Sequence, residues 1–144
     1  MHKLGILILL SWLMLGCQSS PHSVSINDVS FNVVVADDDN SRAMGLMYEK
    51  SLPSNAGMLF IFPDSQPRAF WMKNTLIPLD ILYFNHNRNL VSVQANVPPC
   101  KNTTTRCPNY PSTKAAQYVL EINAGLADKY GFKLGDELLI KLKK

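Results

Sequence analysis

Arg42, Trp71, Lys73, Asn74, Asp80 and Glu121 are the side chains whose types and placement could do chemistry in this sequence. Lys73 and Asp80 lie inside Phe70 to Phe84, where apolar runs on either side of a short polar connection would otherwise read as plain core. Glu121 interrupts a second apolar run, Ala116 to Ile122, and Arg42 opens a helical stretch. Lys, Asp and Glu are almost never fully buried without a partner, because removing a charge from water is costly. Two outcomes follow. The charges pair internally or cap backbone, which fixes register without binding anything. Alternatively they line one polar cleft, and opposed charges in a cleft are the usual mark of a functional site. Structural ion pairs are common enough to favour the first outcome.

If the cleft forms, its chemistry is binding or hydrolysis. A binding site around Trp71, Lys73, Asn74 and Asp80 would suit a glycan, a peptide or a partner protein. Asp80 and Glu121 could instead cleave a glycosidic bond, which requires both carboxylates on one cleft about 5 to 9.5 Å apart. Binding is preferred, because no Ser-His-Asp context, G-x-S-x-G elbow, H-E-x-x-H pair or phosphate-cradling glycine loop is present. Phe70, Trp71, Tyr83 and Tyr110 could form an aromatic platform, although such rings usually supply core area. Met44, Met47, Met58 and Met72 are soft ligands of the kind that select copper(I), but methionine is also ordinary core filler and no imidazole cluster joins them. The expectation is no metal and no cofactor. A net charge of +3 without a Lys/Arg stripe argues against nucleic acid.

The elements that must position these residues read mainly as strands. Val24 to Val35 alternates apolar and polar residues with a break at Asn27-Asp28, predicting two strands or a bent one. Asp37 to Ser41 offers N-caps for a helix over about Ser41 to Tyr48, with Met44, Met47 and Tyr48 on its buried face. Met58 to Phe62, Phe70 to Met72, Leu79 to Phe84, Leu90 to Val97, Ala116 to Ile122 and Leu138 to Leu142 are strands, and Ala124 to Tyr130 is a short helix ended by Gly131. Leu79 to Phe84 does not alternate, so both its faces should be covered. The fold class is mainly β: one compact antiparallel, barrel-like domain of about seven or eight strands with two short helices, since short apolar strands tend to close or wrap to hide their edges. At 144 residues, 47% hydrophobic and 17% charged, the chain suits one ordinary globular core.

The N-terminus addresses the protein. His2-Lys3, the apolar run Leu4 to Leu15 and Leu13-Met14-Leu15-Gly16-Cys17 resemble a bacterial lipoprotein signal, with residues 1–16 removed and Cys17 lipidated. Residues 17–23 would be a tether and 24–144 the domain. The acyl chains would anchor it to a membrane at about 0.8 kcal/mol per buried CH2. Gln18 after the cysteine resembles outer-membrane sorting, facing the periplasm, in a Gram-negative host. In that oxidising compartment Cys100 and Cys107 read as a disulfide closing the polar loop Lys101 to Arg106.

Taken together, Arg42-Ala43-Met44-Gly45-Leu46-Met47, Gly57-Met58-Leu59-Phe60, Phe70-Trp71-Met72-Lys73-Asn74-Thr75, Pro78-Leu79-Asp80-Ile81, Tyr118-Val119-Leu120-Glu121 and Gly135-Asp136 resemble the domain of unknown function 192 family. The resemblance covers Val24 to Leu142. It implies a compact β-rich domain, often behind a secretion or lipoprotein signal, and it attaches no biochemical activity.

Overall fold

The computed structural model describes residues 22–101 and 106–143, so the signal reading, Cys17 and residues 17–21 of the expected tether lie outside the described residues, while His22 and Ser23 at the tether's end are already part of the first strand. In chain order the elements are β1 (His22–Ile26), β2 (Val29–Ala36), α1 (Asp39–Met44), β3 (Ala56–Gln66), β4 (Ala69–Trp71), β5 (Leu79–Phe84), β6 (Leu90–Val97), β7 (Asn109–Pro111), β8 (Ala116–Asn123), α2 (Leu126–Lys129) and β9 (Leu139–Leu142). The break at Asn27-Asp28 is a two-residue hairpin. Both residues take positive φ, 47° and 65°, as a turn matched to strand twist requires.

Seven strands form one sheet in the order β6-β5-β8-β3-β2-β1-β9, and β4 pairs with β7 in a small second sheet. Two expectations need correction. The sheet is mixed rather than antiparallel, because β2 and β3 run parallel, joined by the connection that contains α1. Nor is it closed into a barrel: among the described residues the edges near β6 and β9 meet through the single bridge Asn89–Glu137 and the neighbouring backbone bonds of Leu90 and Leu138. Covering layers, rather than closure, hide most of the apolar surface.

All six residues of β5 are buried, as its unbroken apolar sequence predicts. Leu82 and Phe84 face one core with Phe31, Val33, Leu59, Leu120, Ile122 and α2. Leu79, Ile81 and Tyr83 face the other, with Met58, Phe60, Met72 and Val119. The second core lies beneath the small sheet: Phe70 of β4 packs edge-on against Phe60 at 4.9 Å and Tyr83 at 5.9 Å. Tyr83 also donates its hydroxyl to the Tyr110 carbonyl of β7, which fastens the small sheet to the large one.

Asp38 caps α1, accepting from the Asn40 and Ser41 N–H groups at 2.9 and 3.0 Å while Ser41 bonds back. Those bonds, that from the Ser41 hydroxyl foremost, hold its carboxyl below the usual range. The helix ends sooner than its sequence suggests. Gly45, at φ 50°, turns the chain, so Leu46 goes inward while Met44 and Tyr48 stay 55% and 62% exposed. The buried face expected for Met44 and Tyr48 therefore does not form.

Candidate functional site

Strand register decides which of the charged candidates can meet. Asp80 lies opposite Ile122 and Ile81 lies opposite Glu121 on the paired strands β5 and β8. Since cross-strand partners share a face and successive residues alternate, Asp80 and Glu121 point to opposite sides of the sheet. Asp80 and Glu121 therefore do not form the carboxylate pair expected for glycoside hydrolysis.

Asp80 is fully buried and occupied. Its two oxygens accept from the backbone N–H of Asn96 and of Ala127, each at 2.8 Å. The first bond holds the end of β6, where Asn96 takes a φ of 53°. The second satisfies an N–H in the first turn of α2, whose N-cap, Gly125, has no side chain to do so. Asp80 is a backbone cap, and the Lys73–Asp80 ion pair anticipated as one outcome does not form.

Glu121 is the contrasting case. It is 4% exposed, on the face of the second core, with neighbours Met58 on β3 and Ile81 on β5. Its side chain makes no hydrogen bond or ion pair among the described residues, and it lines a cavity of about 30 Å³. Burial without a partner pushes its carboxyl up to about 8, so the acid is mainly protonated at neutral pH. Tyr83, on the same face, is pushed up as well, by burial first and by the Glu121 charge second.

The rest of the cavity comes from two segments. One is Arg42 to Met47 at the end of α1, and the other is Phe70 to Thr75, with Phe60 of β3 between them. Arg42, Trp71, Lys73 and Glu121 are thus brought together. Arg42 is already engaged, donating to Asp39 at 2.7 Å and to the Ile61 carbonyl at 2.8 Å. The Lys73 ammonium lies 5.1 Å from the centre of the Trp71 ring, and it has no carboxylate within ion-pair distance among the described residues. Trp71 remains 48% exposed.

Asn74 does not line the cavity; it holds the wall. Its N–H donates to the Cys100 carbonyl, its carbonyl accepts from the Tyr48 N–H, and its amide donates to the Tyr48 hydroxyl at 2.9 Å. Lys73 bridges to Cys100, which forms the expected disulfide with Cys107. Gly57 lets β3 approach β8 closely: a methyl there would sit 2.6 Å from the Glu121 carbonyl oxygen.

Other readings fare differently. The aromatic platform does not assemble, because Tyr83 is fully buried and Phe70 is committed to Phe60, Phe62 and Tyr83, leaving Trp71 as its exposed member. Among the described residues no group of His, Cys, Asp and Glu is placed to hold a metal. Thr75, 5% exposed in the cavity wall, was not singled out from the sequence; a hydroxyl side chain directly after Lys73-Asn74 was the available signal.

Residues 22–140 match the family model DUF192, described as uncharacterized ACR. A crystal structure of a protein of unknown function from Novosphingobium aromaticivorans DSM 12444 superposes with a TM-score of 0.74 at 31% identity, covering 81% of this chain and 83% of that one. A protein from Sinorhizobium meliloti 1021, named as a candidate transcription regulator, superposes with a TM-score of 0.75 at 30% identity, covering 85% of this chain and 95% of that one. No functionally curated protein matches the sequence.

Proposed function

The chain belongs to the DUF192 family, and we propose that this member is a non-enzymatic binding domain that captures its ligand at the Glu121 cavity. The observation that carries the reading is the buried carboxyl without a partner, opening onto a space bordered by Trp71 and Lys73. A binding site needs a few polar groups held in apolar surroundings with hydrogen-bonding capacity to spare. Glu121, Lys73 and Thr75 among Phe60, Phe70 and two methionines meet that description. Asp80, once counted with this site, is spent on backbone and has no part in it.

In this proposal the domain works in the cell envelope, on the outer membrane facing the periplasm in a Gram-negative host. Lipidated Cys17 holds it to the membrane, and its partner is an envelope glycan, peptide or protein. The lipobox-like run ending at Cys17 supports the address. The Cys100–Cys107 disulfide is consistent with an oxidising compartment.

Two measurements test the two halves. In cell fractionation, Cys17→Ser should move the protein from membranes to the soluble fraction; continued sedimentation with membranes refutes lipid anchoring. In thermal-shift assays of the full chain against envelope glycans, peptides and proteins, a ligand that raises Tm should lose its effect in Trp71→Ala and Glu121→Gln. A ligand whose shift survives both substitutions binds elsewhere and refutes the site.

A further inference from the structure

Building on the binding reading, we propose that the Glu121 cavity selects a primary ammonium carried on an unbranched apolar stem, the chemistry shared by a lysine side chain and a free alkyl amine.

Size is the first constraint. About 30 Å³ holds a water or two, and hence an ammonium head, but not a sugar ring or an aromatic group. The second is the nature of the walls. Phe60 and Phe70 meet edge-to-face at 4.9 Å, and Met44 and Met47 add polarisable thioethers. Aromatic faces attract cations, and soft sulfur packs readily against an alkyl stem. The third is the floor, a carboxyl with its acceptor capacity unused among the described residues. A hydroxyl would gain one neutral hydrogen bond there, whereas an ammonium gains a charge-assisted bond of roughly twice the strength.

The rim cations do not satisfy the floor. Arg42 is held by Asp39 and the Ile61 carbonyl, and Lys73 lies over Trp71. Their positive charge favours a ligand that carries an acidic group beyond its stem, near Lys73. A lysine with acidic neighbours meets both conditions.

Capture of the cation displaces the Glu121 proton, which burial otherwise retains up to about pH 8. Binding is therefore linked to proton release. The charged and titratable groups facing the acid are Arg42 and Lys73, from the two walls, and Tyr83 beside it on β5. With an alkylammonium that stays protonated through this range, affinity should rise roughly fiftyfold between pH 6 and pH 8.

Titration calorimetry on the full chain in detergent micelles tests this with n-butylammonium, n-butanol, butyrate and a short peptide in which one lysine is flanked by aspartates. The expected result is that n-butylammonium binds at least tenfold more tightly than n-butanol and butyrate at pH 8. Glu121→Gln should remove both that preference and the pH dependence. Melting at pH 5, where acid and amide are both neutral, verifies that the variant folds. Affinity of the peptide at least tenfold above that of n-butylammonium supports a lysine side chain as the source, and equal affinity supports a free amine. If n-butanol or butyrate binds as well as the amine through Glu121, the ammonium assignment is overturned while the binding site stands. If no probe binds and the cavity holds only water, this assignment falls, and the site falls with it only if the envelope ligands also fail to shift Tm.

Discussion

Raising the pH should weaken this fold through one side chain, and Glu121→Gln should remove the weakness. Unfolded, the carboxyl titrates near its ordinary value of 4.5; folded, burial carries it to about 8. Between those values the native protein keeps a proton that the unfolded chain has released, so stability falls as pH rises. The contribution is fully present below 4.5, declines through the window and is flat above 8. At about 1.4 kcal/mol per pH unit, the loss is about 3 kcal/mol by pH 7 and about 4 kcal/mol by pH 8, levelling near 5 kcal/mol above it. Against a typical net stability of about 5 to 15 kcal/mol, that is a large fraction. Gln has nearly the same shape and no charge to lose. Urea unfolding of residues 22–144 with either side chain, at pH 5 and pH 8, reads the difference directly, since every other titrating group is common to both. The Gln form should gain about 3 to 4 kcal/mol relative to the parent between the two pH values. A difference that stays constant, or grows in the other direction, refutes an unpartnered buried acid at this position.

Asp80→Ala should cost about 3 to 5 kcal/mol, because it removes two hydrogen bonds to a carboxylate and strands a buried N–H at Ala127. Asp80→Asn should cost less, since one acceptor remains; in urea unfolding, a loss below about 1 kcal/mol for the alanine form would contradict its role as a cap. Gly57→Ala should destabilise by about 1 to 3 kcal/mol by forcing β3 away from β8, where the methyl would meet the Glu121 carbonyl oxygen at 2.6 Å. The same measurement checks it, and an unchanged unfolding midpoint would show that the strands part freely there.

Much of this architecture was readable before any coordinates, for identifiable reasons. Leu79 to Phe84 offered no polar face, and a strand with no polar face must be covered twice; all of it is buried between two cores. The capping residues before α1 were visible because Asp and Ser compete well for free backbone N–H groups. Strand direction was not visible, since a period of two looks the same in parallel and antiparallel pairs, and so an antiparallel sheet was expected where β2 and β3 run parallel. The short strand Asn109–Pro111 was hidden in a stretch of turn-forming residues; it exists because Phe70 and Tyr110 pair across the small sheet. The inward turn at Leu46 depended on Gly45 ending a helix of under two turns.

The same limit governs the charged candidates, and it bears on function. Asp80 and Glu121 look alike in sequence, each a carboxylate embedded in a buried strand. Their fates differ by a single step of register: one side of the sheet offers two backbone N–H groups at 2.8 Å, and the other offers a cavity with no hydrogen-bond partner for the acid among the described residues. Where the burial cost is offset by bonds, the carboxylate serves the fold. At Glu121 it is not offset by any bond among the described residues, and a neutral amide would spare the fold about 3 kcal/mol at pH 7. Sequences break such local rules mainly where a site needs the broken rule, because a residue chosen for stability alone would have been replaced at no loss. The uncompensated acid, rather than the compensated one, is therefore the residue on which a search for this protein's ligand should be built.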